Sequence, residues 1–210
     1  QKTAYEIRNC NWSSDVCSSD LNMYYMDIKN LLVAQRTDFD TFTGVNAGRT
    51  SHPGVETTIN LQLLKSQNLN ITSSNNFSKY WYIFKDFNNR GTDYSQNKLT
   101  GVPSHTIFSK ININLKNYLA QISFQNIGKI PMNDANELFS DAYSVVDFKI
   151  LKNFSFNNYD ISISSGINNI FDKRYASGIV INARGFGGRD PRYYYPGLPR
   201  NYFISLNLSI

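Results

Sequence analysis

Cysteine is nearly missing from this 210-residue chain: Cys10 and Cys17 are the only two, and both fall within the first 21 residues. From residue 22 onward there is no thiol, which excludes a disulfide framework, a thiol nucleophile and a cysteine-ligated metal. Histidine is equally scarce. His52 and His105 are the only two, and with no cysteine or histidine cluster beside them they read as solvated loop or rim residues, so neither a metal nor another cofactor is expected. No run of about 18 apolar residues occurs, so no membrane-spanning helix is expected. No leader of the export type is expected in these residues, and no Gly-rich phosphate loop or nucleophile elbow is seen. Asp147 and Lys149 could serve as an acid–base pair, but two charges on the polar face of one strand read as structural, and the chain is not expected to be an enzyme. The formal net charge of +5 lacks the single-faced basic stripe that nucleic-acid binding needs, so no nucleic-acid partner is expected.

The first 21 residues stand apart. Trp12 to Leu21, WSSDVCSSDL, resembles the conceptual translation of a common DNA-sequencing adapter, with Asn11 where the adapter would encode Asp. Residues 1–21 are therefore expected to be an artefact or unrelated leader, unstructured and packed against nothing. On this reading the remainder is an N-terminally truncated piece of a longer protein.

What is abundant is alternation. The composition is 41% hydrophobic and 14% aromatic, yet mean hydropathy is only −0.40, because apolar residues recur at every second position. In the closing segment Tyr202, Ile204, Leu206, Leu208 and Ile210 alternate with Phe203, Ser205, Asn207 and Ser209. Seven earlier segments repeat the pattern. Tyr24, Met26, Ile28 and Leu32 oppose Asp27 and Lys29; Thr57, Ile59, Leu61 and Leu63 oppose Glu56, Thr58, Asn60 and Gln62. Tyr80, Tyr82 and Phe84 share a third strand, and Ile107, Ile111, Ile113 and Leu115 a fourth. Tyr118, Ala120, Ile122 and Phe124 follow the two-residue link Lys116-Asn117, and Val146, Phe148, Ile150 and Phe154 follow later. After a tight turn at Asn157-Asn158 come Ile161, Ile163 and Ile167.

Such strands divide two solvents, either core from water in a sandwich or lipid from a polar lumen in a transmembrane barrel. Long connections are expected at about residues 34–54, 86–103, 128–141 and 172–198, with short ones between them. A sandwich would not require loops to alternate in length, whereas an outer-membrane barrel does. Tyr118, Phe154, Phe156 and Tyr159 beside the short turns, and Phe171, Tyr175 and Tyr202 near the long loops, fit the two aromatic girdles of such a barrel.

Four motifs then become recognisable: NAGRTSHPGVETTINL (Asn46 to Leu61), LTGVPSHTIF (Leu99 to Phe108), INNIFDKRYAS (Ile167 to Ser177) and YYPGLPRNYFISLNL (Tyr194 to Leu208). Together, in this order, they resemble the C-terminal barrel of TonB-dependent outer-membrane receptors. The resemblance implies an all-β, antiparallel up-and-down transmembrane barrel of about 22 strands, of which about eight C-terminal strands would lie in residues 22–210. Eight strands leave two raw edges, so an open curved sheet is expected. The resemblance further implies capture of a scarce nutrient, foremost a ferric siderophore or other iron complex, and its import powered by the TonB energising complex. Contact with that complex and a plug domain would lie upstream. Outer-membrane lipid and the barrel-assembly machinery are the other implied partners; that machinery usually reads a terminal aromatic, where this chain has Ile210.

An anionic iron chelate would want cationic and aromatic groups at a concave mouth. The last long loop supplies Arg184, Arg189, Arg192, Tyr193, Tyr194 and Tyr195, with Phe186 among glycines; these are the candidate ligand-binding residues. Asp172, Lys173 and Arg174 are expected to fix the strand exit, and Pro196, Gly197 and Pro199 the re-entry. Two other classes remain open on the residues alone: a passive pore or adhesive barrel, and a soluble all-β binding module.

Overall fold

The computed structural model describes residues 2–8, 16–38, 41–89, 91–156, 159–185 and 187–209; the turn expected at Asn157-Asn158, Phe186 and Ile210 lie outside them. The strands are β1 (Lys2–Arg8), β2 (Cys17–Lys29), β3 (Leu32–Asp38), β4 (Thr41–Asn46), β5 (Arg49–Lys65), β6 (Leu69–Tyr80), β7 (Ile83–Asp86), β8 (Asn88–Asn89), β9 (Thr92–Asp93), β10 (His105–Leu115), β11 (Tyr118–Ile127), β12 (Tyr143–Phe156), β13 (Tyr159–Asn168), β14 (Ala176–Ile179), β15 (Tyr194–Pro196) and β16 (Asn201–Ser209). Nine of them follow one another as β1-β2-β5-β6-β10-β11-β12-β13-β16 in a single sheet, with β7 paired to β5. Every pairing along it is antiparallel. The architecture is therefore all-β and up-and-down, and among the described residues β1 and β16 are open edges.

Register decides which solvent each residue meets, because directly opposed residues share a face. Ile161 opposes Leu208 and Ile163 opposes Leu206; Phe154 opposes Ile161; Ile122 opposes Phe148 and Ile111. This row leaves Ile204 79% and Leu206 68% exposed, an apolar wall far larger than a water-facing surface tolerates. The opposite wall is polar and hydrogen-bonded. There Ser74 Oγ donates to Asn60 Oδ1 at 2.6 Å, Asn60 Nδ2 to Ser18 Oγ at 3.3 Å, Thr58 Oγ1 to Asn76 Oδ1 at 2.8 Å and Ser162 Oγ to Asn153 Oδ1 at 2.8 Å. No helix among the described residues is long and apolar enough to cross a membrane; the strands carry the amphipathic pattern instead.

Two expectations are corrected. β2 presents the opposite face from the one read off its sequence. Its register against β5 sets Met23 opposite Val55 and Leu21 opposite Thr57 on the apolar wall, while Tyr24 opposes Gly54 and Met26 opposes His52 on the polar one. The reason is steric: a Cβ on Gly54 would lie 2.3 Å from the Tyr24 ring, so the glycine makes the room that the ring fills. Phe203 lies over Gly166 in the same way, where a Cβ would meet its ring at 2.5 Å, which explains an aromatic on the polar face of β16. Leu32 belongs not to β2 but to the hairpin β3-β4.

The second correction concerns the leader expected to be unstructured. Lys2–Arg8 forms β1, paired in register with β2 from Lys2↔Met26 to Arg8↔Asp20. Cys17, Ser18, Ser19, Asp20 and Leu21 pair with Leu61 to Thr57 of β5. The ladder is made by backbone groups, and a serine-rich segment with period-two alternation meets the needs of a polar wall whatever its origin.

Candidate ligand-binding end of the sheet

Connections alternate in length. Ser66 to Asn68 and Lys116-Asn117 close one end, with Lys116 at a φ of 51°. Four long connections, between β2 and β5, β6 and β10, β11 and β12, and β13 and β16, gather at the other, where they form a packed cap. Buried Ala47, Phe84, Phe87 and Leu99 pack with Val33, Val45, Tyr82 and Tyr94, so an apolar core lies in the cap. The strand expected to carry Tyr80, Tyr82 and Phe84 is broken: Tyr80 ends β6, Phe84 lies in β7 and Tyr82 lies between them, because Phe84 turns into the cap, where it is wholly buried.

Buried Asp134 ties three of the four connections together. Thr100 Oγ1 donates to its Oδ1, Asn182 Nδ2 to its Oδ2 at 3.1 Å, and Asn97 Nδ2 to its carbonyl oxygen at 2.8 Å; its own N–H donates to Asn182 Oδ1 at 3.1 Å. Asn169 does the same for the last connection. Only 2% exposed and at a φ of 54°, it accepts from the Lys173 N–H at 2.8 Å and donates to the Lys173 and Leu198 carbonyls at 2.9 and 3.1 Å. Its own N–H donates to Asp147 Oδ1 at 2.8 Å, giving that carboxylate a structural partner. Asp172 Oδ1 accepts from the Arg200 N–H at 2.9 Å, so the strand exit and re-entry close on each other.

Between these ties lie cavities. One of about 430 Å³ is lined by Lys173, Arg174, Tyr175, Asp141, Tyr143 and Tyr194 among others. Ser140, Asp141, Tyr143 and Ala176 also line a neighbouring cavity of about 250 Å³. The Tyr143 and Tyr175 rings lie 4.7 Å apart. Tyr175 is therefore not a girdle residue: it also fills the space over Gly197, where a Cβ would lie 2.3 Å from its ring. Of the six ligand-contact candidates, Tyr194 lines this cavity. Tyr195 lies across the β14-β15 ladder from Gly178, and the Tyr193 ring is 6.5 Å from that of Tyr194. Arg184, Arg189 and Arg192 are exposed on the same connection. The cationic pair nearest the aromatic cavity is thus Lys173 and Arg174, assigned above only to the strand exit.

A third cavity of about 510 Å³ lies at the β6 end of the cap, lined by Lys79, Lys98 and Lys129 with Trp81, Tyr82 and Phe139 among others. A ring cluster that strand alternation does not reveal lies beside it. Tyr24 and Tyr82 hydrogen-bond through their hydroxyls, and His52 stacks on Tyr82 at 4.4 Å between centroids. Burial pushes the Tyr82 phenol up from its ordinary value, so it stays a neutral donor and acceptor. His52 is buried, not solvated, with Nε2 3.0 Å from Thr50 Oγ1. His105 stands at the rim, its ring bonded to Ser104 and Asn126. Among the described residues no three His, Cys, Asp or Glu side chains group as metal ligands.

Comparison with solved structures shows the same fold. The chain superposes on the unliganded ferric citrate transporter FecA with a TM-score of 0.73 at 15% identity, covering 99% of this chain and 31% of that one. The copper transporter OprC gives 0.70 at 13% identity, covering 98% and 30%. The siderophore receptor PiuA of Acinetobacter baumannii gives 0.67 at 16%, covering 99% and 28%. The chain thus spans under a third of the length of these transport proteins. Residues 5–170 match the family described as TonB dependent receptor-like, beta-barrel. With most of its length matched and its ten-stranded sheet superposing on such receptors, the chain belongs to the TonB-dependent receptor β-barrel family.

Proposed function

We propose that this chain is the C-terminal barrel portion of an outer-membrane receptor that captures an iron complex, foremost a ferric siderophore, and imports it with energy from the TonB system. The observation that carries this reading is the cap, with Lys173 and Arg174 beside Tyr143, Tyr175 and Tyr194 around one cavity. Planar guanidinium donors and phenol rings suit an anionic chelate. Family membership and the likeness to receptors for ferric citrate and siderophores support the same cargo class. The apolar wall faces outer-membrane lipid, assembled by the barrel-assembly machinery, and the plug and the TonB contact are supplied by sequence outside this chain. Arg184, Arg189, Arg192, Tyr193, Tyr194 and Tyr195 form the outer approach to the cavity. The segment Trp12 to Leu21 is of foreign, adapter origin, which resequencing the gene across it tests.

Growth of a receptor-deleted strain on defined iron sources, restored by the full-length gene, tests the function. Restoration on one iron chelate and not on ferric salts is expected. Equal growth on every source with and without the gene would sink the reading.

A further inference from the structure

Lys79, Lys98 and Lys129 line the 510 Å³ cavity, and no carboxylate lines it. Among the described residues none of the three is in an ion pair; the ammonium of Lys79 lies 5.9 Å from the centre of the Trp81 ring, and that of Lys98 5.6 Å from that of Phe139. Three positive charges around one concavity, with no carboxylate among them, make a positive potential that favours an anion there. The rest of the lining is mostly apolar: Trp81, 52% exposed, and Phe139, 37% exposed, with Ile83, Leu99, Val102 and two prolines, beside the hydroxyls of Tyr80, Tyr82 and Ser104.

Position decides what kind of anion. Lys79 opposes Val55 on β5 and His105 on β10, and Phe77, two residues earlier, opposes Ile107. Lys79 therefore continues the row of the apolar wall, and Trp81 is next in that row, where the wall ends and the cap begins. Basic side chains beside an exposed tryptophan at that height sit where lipid headgroups lie.

Resting on the outer-membrane reading above, we propose that this cavity binds the phosphate headgroup of an outer-leaflet lipid, with the three lysines on the phosphate and Trp81 and Phe139 on the start of the acyl region. The site is distinct from the Tyr143 cavity proposed for cargo.

The test uses the full-length receptor in nanodiscs of phosphatidylcholine, with and without phosphatidic acid as the phosphomonoester probe, and counts retained lipid by native mass spectrometry. Wild type should retain phosphatidic acid over phosphatidylcholine. The triple variant Lys79→Ala/Lys98→Ala/Lys129→Ala should lose that preference by on the order of a hundredfold, and the Lys→Arg triple should keep most of it. Equal retention by the alanine triple would overturn the proposal. So would binding of inorganic phosphate as tight as that of the lipid, or loss of chelate uptake with lipid retention unchanged. Insertion into the nanodisc, read from protease protection of the strands, reports separately on the barrel reading.

Discussion

At the scale of single residues, Asn169 is the most consequential side chain of the last connection. Its amide satisfies one N–H and two carbonyl groups, and Asn tolerates its positive φ better than most residues. Asn169→Ala leaves those groups unpaired in a buried place and should cost about 1–3 kcal/mol, measured as a lower midpoint of denaturant unfolding of the receptor in detergent. Asn169→Asp, which keeps the acceptor but not the donor, should lie between the two. Arg174 and Tyr194, by contrast, line a cavity without knitting the fold in this way. Arg174→Ala with Tyr194→Ala should weaken chelate binding by roughly tenfold or more while leaving unfolding midpoints close to wild type; a matched loss of both would mean a structural role only. Asn169 escaped notice in the sequence because INNIF offers two adjacent asparagines, and nothing local says which one turns inward. Tyr24 misled for a related reason. Met23 and Tyr25 satisfy the same alternation one step out of phase, and only Gly54 across the ladder chooses between them.

At the scale of elements, the strands from β10 to β13 and β16 were legible, faces included, because isoleucine, leucine and phenylalanine alternate with serine, asparagine and lysine there without ambiguity. β1 was not, since a seven-residue strand in a segment read as foreign gave no independent signal. The hairpins β3-β4 and β14-β15 stayed hidden inside polar connections, where strand pairing follows packing in the cap rather than alternation. The two faces of β16 give a direct test. Leu206 opposes Ile163 on the apolar wall, and Asn207 opposes Ser162 on the polar one. Leu206→Arg should cost about 2–4 kcal/mol near mid-membrane, against almost nothing for Asn207→Arg, in unfolding from lipid vesicles. Equal costs would contradict the assignment of lipid to the Leu206 side. A charge lies on that wall at its short-turn end as well. Lys152 Nζ stands 4.6 Å from the centre of the Tyr118 ring and 4.7 Å from that of Phe154, near the short turns, where a long cationic side chain can reach headgroups.

At the scale of the whole molecule, the cap behaves as one body because Asp134 joins three of its connections. Asp134→Ala should loosen them together, so that backbone amides near Thr100, Asp134 and Asn182 gain hydrogen-exchange rate in concert while those of β10 and β11 do not. Exchange confined to one connection would mean that the connections are independent. The short-turn end carries no comparable packing among the described residues, which places the adaptable part of the molecule at the cap.

The count of strands has a consequence of its own. Nine strands alternating in direction begin and end with the same heading, so β1 and β16 run parallel to each other. Joining these two edges directly would create the one parallel seam in an otherwise antiparallel wall. A ring without such a seam needs an odd number of further strands between them, and the even-numbered barrels of outer membranes leave that odd remainder to the rest of the receptor.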